Sequence, residues 1–150
     1  MKLAEALLQR SALRCKLSDL KSRAISVSKI QDGDEPLEKI EDLLHEYSKI
    51  NDEMQDLVKR IYRANQTTKL ADGTFLWDAL VQKDHLDSIS STWKAIIDHC
   101  TAPVPRYIKT ELKQIVCAPV AQLRIKADSL SQERRNLDIE IQKVNWTIDV

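Results

Sequence analysis

The side chains best suited to chemistry in this sequence are its three histidines and three cysteines. Asp98-His99-Cys100 and the later Cys117 supply donor types that zinc accepts. Adjacent residues on a helix point about 100° apart, however, and no paired spacing completes a set of four ligands. Asp42 and His45 approximate the Glu-x-x-His of di-iron bundles, but the motif has no second copy. We predict no metal and no cofactor, and retain as candidate ligands without a complete set His45, His99, Cys100 and Cys117.

Cys117 is also a candidate nucleophile. It lies just before a predicted helix, and helix N-termini favour the thiolate form of cysteine. His85 or His99 would have to serve as the base, yet the spacing forces neither histidine next to the thiol. Glycine-rich phosphate-binding loops are excluded, because the chain has only two glycines, which lie far apart. We therefore predict a protein that is not an enzyme, with a metal-binding or thiol-dependent enzyme bundle as the alternative.

Long amphipathic helices must position these residues. From residue 2 to 28, seven of the eight heptad a and d positions are apolar, and from 36 to 65 all eight can be buried. A third helix begins near Trp77, and Pro119 opens the last one. A strand would need a period of two, so this spacing, typical of coiled-coil packing, predicts helices. The apolar positions are Leu3, Ala6, Leu13, Leu17, Leu20, Ala24 and Val27; Ile40, Leu43, Tyr47, Ile50, Met54, Leu57, Ile61 and Ala64; Ala79, Leu86, Ile89, Trp93, Ile96 and Cys100; and Val120, Leu123, Ala127, Leu130, Leu137, Ile141 and Val144.

Two segments interrupt the helical pattern. Asp72-Gly73 is a tight-turn signal between residues that favour extended backbone, so we predict a short β-hairpin over about 67–76. Pro103 and Pro105 remove backbone donors, so we predict an extended arm over about 101–117. The expected fold is all-α, a single domain over 1–150 built as an elongated bundle of about four long amphipathic helices.

The charge balance and the thiols restrict the partners and the compartment. Lys plus Arg and Asp plus Glu number 23 each, so the chain has no net field to attract nucleic acid or an anionic membrane. No stretch approaches the roughly 18–20 apolar residues that cross a bilayer, and the first residues do not form a signal peptide. Three cysteines without a CxxC pair are typical of reduced thiols. We predict a cytoplasmic protein that binds neither nucleic acid nor membranes.

Four residues are candidates for an interface: Arg10, Arg134, Tyr107 and Trp146. Arg10 and Arg134 occupy otherwise apolar heptad positions, where a charge is costly unless it reaches solvent or meets a carboxylate. Meeting a carboxylate across an interface would set helix register or oligomer geometry. Tyr107 lies in the predicted arm, and Trp146 follows the last heptads as a large aromatic anchor. Broad apolar stripes on long helices favour a homo-oligomer formed by side-by-side packing.

Three segments of the chain also resemble a known family. The opening MKLAEALLQR, the segment 69–74 leading into Asp78-Ala79-Leu80, and the closing Asn145-Trp146-Thr147 resemble small bacterial proteins often labelled septicolysin. The resemblance covers essentially the whole chain and implies no catalytic residues. The label implies a membrane-active cytolysin, which is a second alternative function. From the residues themselves we predict a non-catalytic helical protein that acts through self-association or partner binding.

Overall fold

The computed structural model describes residues 1–103 and 115–150 and contains four helices in them. These are α1 (Leu3–Val27), α2 (Ile40–Thr67), α3 (Leu76–Thr101) and α4 (Val120–Thr147). No strand occurs in the described part of the chain, only isolated bridge residues. The prediction of an all-α protein with four long helices is confirmed. The chain contacts group into two compact units, residues 1–69 with 142–150 and residues 70–141, so the single-domain organisation stays a prediction.

In the first unit, α1 and α2 run antiparallel. The apolar heptad positions of both helices face inward, as their spacing predicts: each of them is buried or partly buried, and Arg10 is exposed. In the polar contacts between the two segments, the residue number rises along α1 while it falls towards the start of α2. They are Gln9–Glu53, Lys16–Glu46 and Arg23–Glu38. The buried residues of these two helices are Leu3, Ala4, Ala6, Leu13, Leu17, Leu20, Leu43, Ile50, Leu57, Ile61 and Ala64.

The start of α2 differs from the prediction. The helix begins at Ile40 and not at Pro36. Lys39, the residue before it, has an extended backbone with ψ of 125°, and its side chain makes no capping hydrogen bond. The preceding residues stay outside the helix, where the guanidinium of Arg23 binds Glu38, with Nε 3.0 Å from Oε2. This pairing raises the pKa of Arg23 and lowers that of Glu38 through their hydrogen bonds.

The two ends of the described chain pair with each other in the first unit. Leu3 N donates to Ile148 O at 2.9 Å and Val150 N donates to Met1 O at 2.8 Å, around an antiparallel bridge between Lys2 and Asp149. The ammonium of Lys2 lies 2.8 Å from Asp149 Oδ2, and this hydrogen bond lowers the pKa of the carboxyl. Nothing in the sequence patterns predicted this pairing, because it joins residues far apart in the chain.

The β-hairpin predicted over 67–76 is wrong. The chain makes a tight turn, in which Leu70 N donates to Thr74 O at 2.8 Å and Gly73 takes a φ of +88°. Thr74 N also donates to Asp72 Oδ1 at 2.9 Å, which lowers the pKa of that carboxyl. The turn signal was correct, but α2 runs on to Thr67 and α3 begins at Leu76, so only 68–75 remain and no paired strands form.

The second unit contains α3 and most of α4, which also run antiparallel. Their direction follows from three contacts: Lys83–Asp138, Asp87–Arg134 and Trp93–Lys126. Its buried residues lie near the start of α3 and the end of this unit: Leu70, Leu76, Ala79, Leu86 and Ile141. The arm predicted over 101–117 lies mostly outside the described residues. Thr101 ends α3, Ala102 is extended, and 115–117 are exposed and have no regular structure.

Candidate interaction surface

The distal part of the α3–α4 pair is partly exposed along its whole length. Between Asp87 and Glu140 no residue of the described chain is buried, although both helices carry regular apolar heptads there. The heptad side chains are instead only partly buried, and Ile96 remains 38% exposed. We call six of these residues the α3–α4 face: Ile89, Trp93, Ile96, Leu123, Ala127 and Leu130.

The contrast with α2 shows what this partial exposure means. Leu57 on α2 is only 4% exposed at a heptad position of the same kind, whereas Leu130 on α4 retains solvent contact. In the first unit the α1–α2 pair buries positions such as Leu43 and Ile50, whereas the α3–α4 pair leaves the corresponding positions partly exposed. Four-helix bundles bury such positions because further helices cover them. The α3–α4 face therefore has the pattern of a bundle core and the exposure of a surface.

Charged residues of both signs lie on these two helices. Lys94 and Asp98 are exposed on α3, and Arg124 and Asp128 are exposed on α4. None of the four side chains forms an ion pair within residues 1–103 and 115–150. Lys126 is also exposed on α4, and its Nζ lies 5.9 Å from the centroid of the Trp93 ring, so a third cation lies next to the face. Asp98 and Asp128 are each two residues, about 200° around the helix, from the face residues Ile96 and Leu130, so neither carboxylate lies beside the face.

Arg134 is held inside the second unit by a carboxylate of the same chain. Its Nε lies 2.7 Å from Asp87 Oδ1, and a guanidinium nitrogen lies 3.5 Å from Asp87 Oδ2. One turn away, Lys83 forms an ion pair with Asp138. These two pairs join α3 to α4 and fix which residues of the helices are opposite each other. Arg134 is therefore tolerated at an apolar heptad position because it pairs with a carboxylate of the same chain. A role of Arg134 in an interface between copies stays a prediction.

The other three predicted interface residues have different surroundings. Arg10 is exposed on α1 and forms no ion pair with any described residue. Trp146, near the end of α4, is 58% exposed and so is not packed as an anchor within the chain. Tyr107 lies outside the described residues. The proposed interface role of all three is untested.

Two cysteines and a histidine line one cavity at the end of α3. His99, Cys100 and Cys117 surround a space of 450 Å³, together with Ala102, Ile115, Val116 and Ala118. Cys117 is exposed, and its thiol donates to Ile115 O at 3.6 Å, whereas Cys100 is half-buried. The sequence analysis named these side chains as candidates but did not predict that they line one cavity. Their proximity follows from the antiparallel packing, which brings the end of α3 close to the start of α4.

The remaining candidate ligands are isolated. His45 is exposed on α2 and His85 is exposed on α3, and neither lines the cysteine cavity. No group of three or more His, Cys, Asp or Glu side chains that could hold a metal ion occurs in the described ranges 1–103 and 115–150. The geometry therefore assembles thiols at one place and leaves two of the three histidines apart.

An apolar pocket in the first unit was missed by the sequence analysis. It measures 390 Å³ and lies between the end of α1 and the start of α2. One signal pointed to it, since Leu44 extends the apolar stripe of α2 beyond its heptad positions and is 53% exposed. Its lining residues are Leu20, Lys21, Ala24, Ile25, Ser28, Ile40, Leu44 and Tyr47.

The comparisons with known proteins agree with the fold. The chain superposes on the crystal structure of "a functionally unknown conserved protein from Corynebacterium diphtheriae" with a TM-score of 0.89 and 36% sequence identity. The match covers 97% of this chain and 95% of that one. No curated protein matches the chain significantly. Among the described residues, none of the helices is long and apolar enough to cross a membrane.

The resemblance to septicolysin is wrong. The family whose model matches this chain and the protein in the similar crystal structure are both described as being of unknown function, and neither carries the septicolysin label. The segments that suggested it form helix ends and a turn, so they bear on the fold and not on an activity. The cytolysin function implied by the label loses its basis. The model of a family of unknown function, DUF6847, matches residues 10–150, and the chain belongs to that family.

Proposed function

We propose that this protein is a non-catalytic helical protein that self-associates, with the α3–α4 face of one copy packed on that of another. One observation carries the proposal: between residues 87 and 140 the described chain buries no side chain despite regular apolar heptads. Helices derive most of their stability from packing an apolar face, so a second pair of helices would stabilise this region. Two α3–α4 pairs together would make a four-helix arrangement with a closed core.

The charges favour a second copy as the occupant of this face. The exposed charged residues of α3 and α4 include cations, such as Lys94 and Arg124, and anions, such as Asp98 and Asp128. A strongly basic or strongly acidic partner would therefore meet like charges on these helices. The whole chain has a net charge of zero, so two copies do not repel each other at long range.

The same charge balance gives no basis for binding nucleic acid or an anionic membrane surface. Three free thiols support a reducing compartment, so we place the protein in the cytoplasm. Its role there would follow from assembly: the paired helices form the core, and the polar outer surfaces of the helices are presented to further partners.

Light scattering on purified protein tests this proposal. The wild type is expected to have at least twice the chain mass of 17.2 kDa. Ile96→Asp should reduce the mass to one chain, because the charge would be buried in the interface. The matched control is Ile139→Asp, on the side of α4 opposite its heptad positions, about 200° around the helix from Leu137. Ile139 is 54% exposed and Ile96 is 38% exposed, so both aspartates are compatible with the folded chain.

Circular dichroism verifies that both variants remain helical. A wild-type mass of one chain at every concentration would refute self-association. Equal dissociation by the two variants would refute the assignment to the α3–α4 face.

A further inference from the structure

The cavity at the end of α3 contains both cysteines of the second unit. We propose that Cys100 and Cys117 are a dithiol modification site, which reacts with low-molecular-weight disulfides to form an intramolecular disulfide bond. This chemistry is separate from self-association and does not depend on the proposed function.

The position of the two thiols supports this pairing. Among the described residues, 99, 100, 102 and 115–118 line the cavity, so the two thiols come from separate segments that border one small space. Cys100 is the next-to-last residue of α3, and Cys117 lies in irregular backbone before α4 begins at Val120. Helix ends and irregular backbone adjust more readily than helix interiors, so the sulfur atoms can reach the geometry that a disulfide requires.

The difference in exposure assigns an order to the two thiols. Cys117 is exposed, and its thiolate would attack the incoming disulfide RSSR, forming a Cys117–SR mixed disulfide and releasing RS⁻. The thiolate of half-buried Cys100 would then attack the Cys117 sulfur, form the Cys100–Cys117 bond and expel the second RS⁻. Each cysteine sulfur loses one electron, RSSR gains two, and the two thiol protons end on the two RS⁻ groups. In a cytoplasm, such a bond would be transient and reversed by small thiols.

The reagent must be small. A cavity of 450 Å³ is in the size range of small-molecule sites, and Ile115 and Val116 contribute apolar side chains to its lining. Cys15 provides the contrast within the chain, because it is exposed on α1 and is not among the residues that line this cavity. A lone exposed thiol forms a mixed disulfide but has no second cysteine to resolve it.

Reaction of the full chain with the aromatic disulfide dithiobis(nitrobenzoate) tests the proposal. The wild type has three cysteines and should release three thionitrobenzoate ions while retaining one, on Cys15. Cys15→Ser should release two and retain none. Cys100→Ser should release two and retain two, because Cys117 then keeps its adduct. Release is measured by absorbance, retention by intact mass, and the bond by peptide mapping without reduction.

A Cys100–Cys117 linked peptide from a species of single-chain mass supports the site. Stable adducts on both Cys15 and Cys117 of the wild type would overturn it, since the second thiol would then not resolve the first adduct. A Cys100–Cys117 link found only in covalent dimers would also overturn it. Circular dichroism of the serine variants ensures that all reactions are compared on folded protein.

Discussion

The ion pair between Arg134 and Asp87 gives a quantitative test of how the chain tolerates a charge in an apolar heptad. The guanidinium contacts the carboxylate at 2.7 Å and 3.5 Å, and the two side chains are 39% and 46% exposed. If this contact within the chain is what accommodates the charge, replacing Arg134 should lower the stability of the chain itself. If the arginine acts only between copies, replacing it should change the assembly and leave the single chain unaffected.

The expected magnitude follows from the exposure of the pair. Exposed ion pairs contribute about 0.2–1 kcal/mol, and two-point contact puts this pair at the upper end of that range. The aliphatic stem of Arg134 adds apolar contact, so Arg134→Ala should cost about 1–2 kcal/mol. Arg134→Leu loses the ion pair but completes the apolar heptads of α4, so its free energy of unfolding should lie within about 0.5 kcal/mol of the wild type.

Urea unfolding followed by circular dichroism at low protein concentration measures these differences. The variants Arg134→Ala, Asp87→Ala and the double mutant form a cycle, and its coupling energy should be about 0.5–1 kcal/mol. Arg14→Ala is the matched control, because Arg14 is exposed on α1 without a hydrogen-bond or ion-pair partner among the described residues. It should change stability by less than about 0.5 kcal/mol. A coupling energy near zero, or equal losses for the two arginines, would refute the reasoning.

Three further predictions concern the first unit and the turn before α3. Leu20→Ala should cost about 2–5 kcal/mol in urea unfolding, because Leu20 is 1% exposed, whereas Leu44→Ala, at 53% exposure, should cost less than half as much. The lowered pKa values of Glu38 and Asp149 mean that their stabilisation is complete above the unfolded carboxyl value of about 4 and is lost as the pH falls through the folded values. Asp149→Asn should therefore reduce the difference between urea midpoints at neutral and acid pH, and an unchanged difference would contradict this. Gly73→Ala should cost about 1–2 kcal/mol by thermal unfolding, because φ is +88° and an added Cβ meets no atom within 4 Å, so only backbone strain contributes.

The heptad pattern predicted the first helix pair well because the pattern and the packing act on the same residues. Leu13 and Leu57 are buried where a period of 3.5 residues places them. The helix ends were less predictable, since α2 begins at Ile40, where local backbone and the Arg23–Glu38 pair decide the outcome. The β-hairpin failed for a similar reason: Asp72-Gly73 specifies a turn, but the lengths of the flanking helices decide whether strands can follow it.

The dithiol site could not be read from the sequence, because it depends on contacts between distant residues. Cys100 and Cys117 have no recognisable spacing, and they meet only because α3 and α4 pack antiparallel with their ends together. The pairing of Lys2 with Asp149 likewise joins opposite ends of the sequence. Residue types indicated which side chains could react, whereas the fold determined which of them share a cavity.

The strongest argument for assembly comes from comparing two helix pairs with the same kind of pattern. An apolar heptad shows that a helix face is to be covered, but it does not show whether the cover belongs to the same chain. On α2 the cover is present, since Leu43, Ile50 and Leu57 are each 5% exposed or less. On α4 the positions Leu123 and Leu130 are only partly covered in the described chain. Further helices would cover them, as in a four-helix bundle, and in our proposal a second copy of the chain supplies those helices.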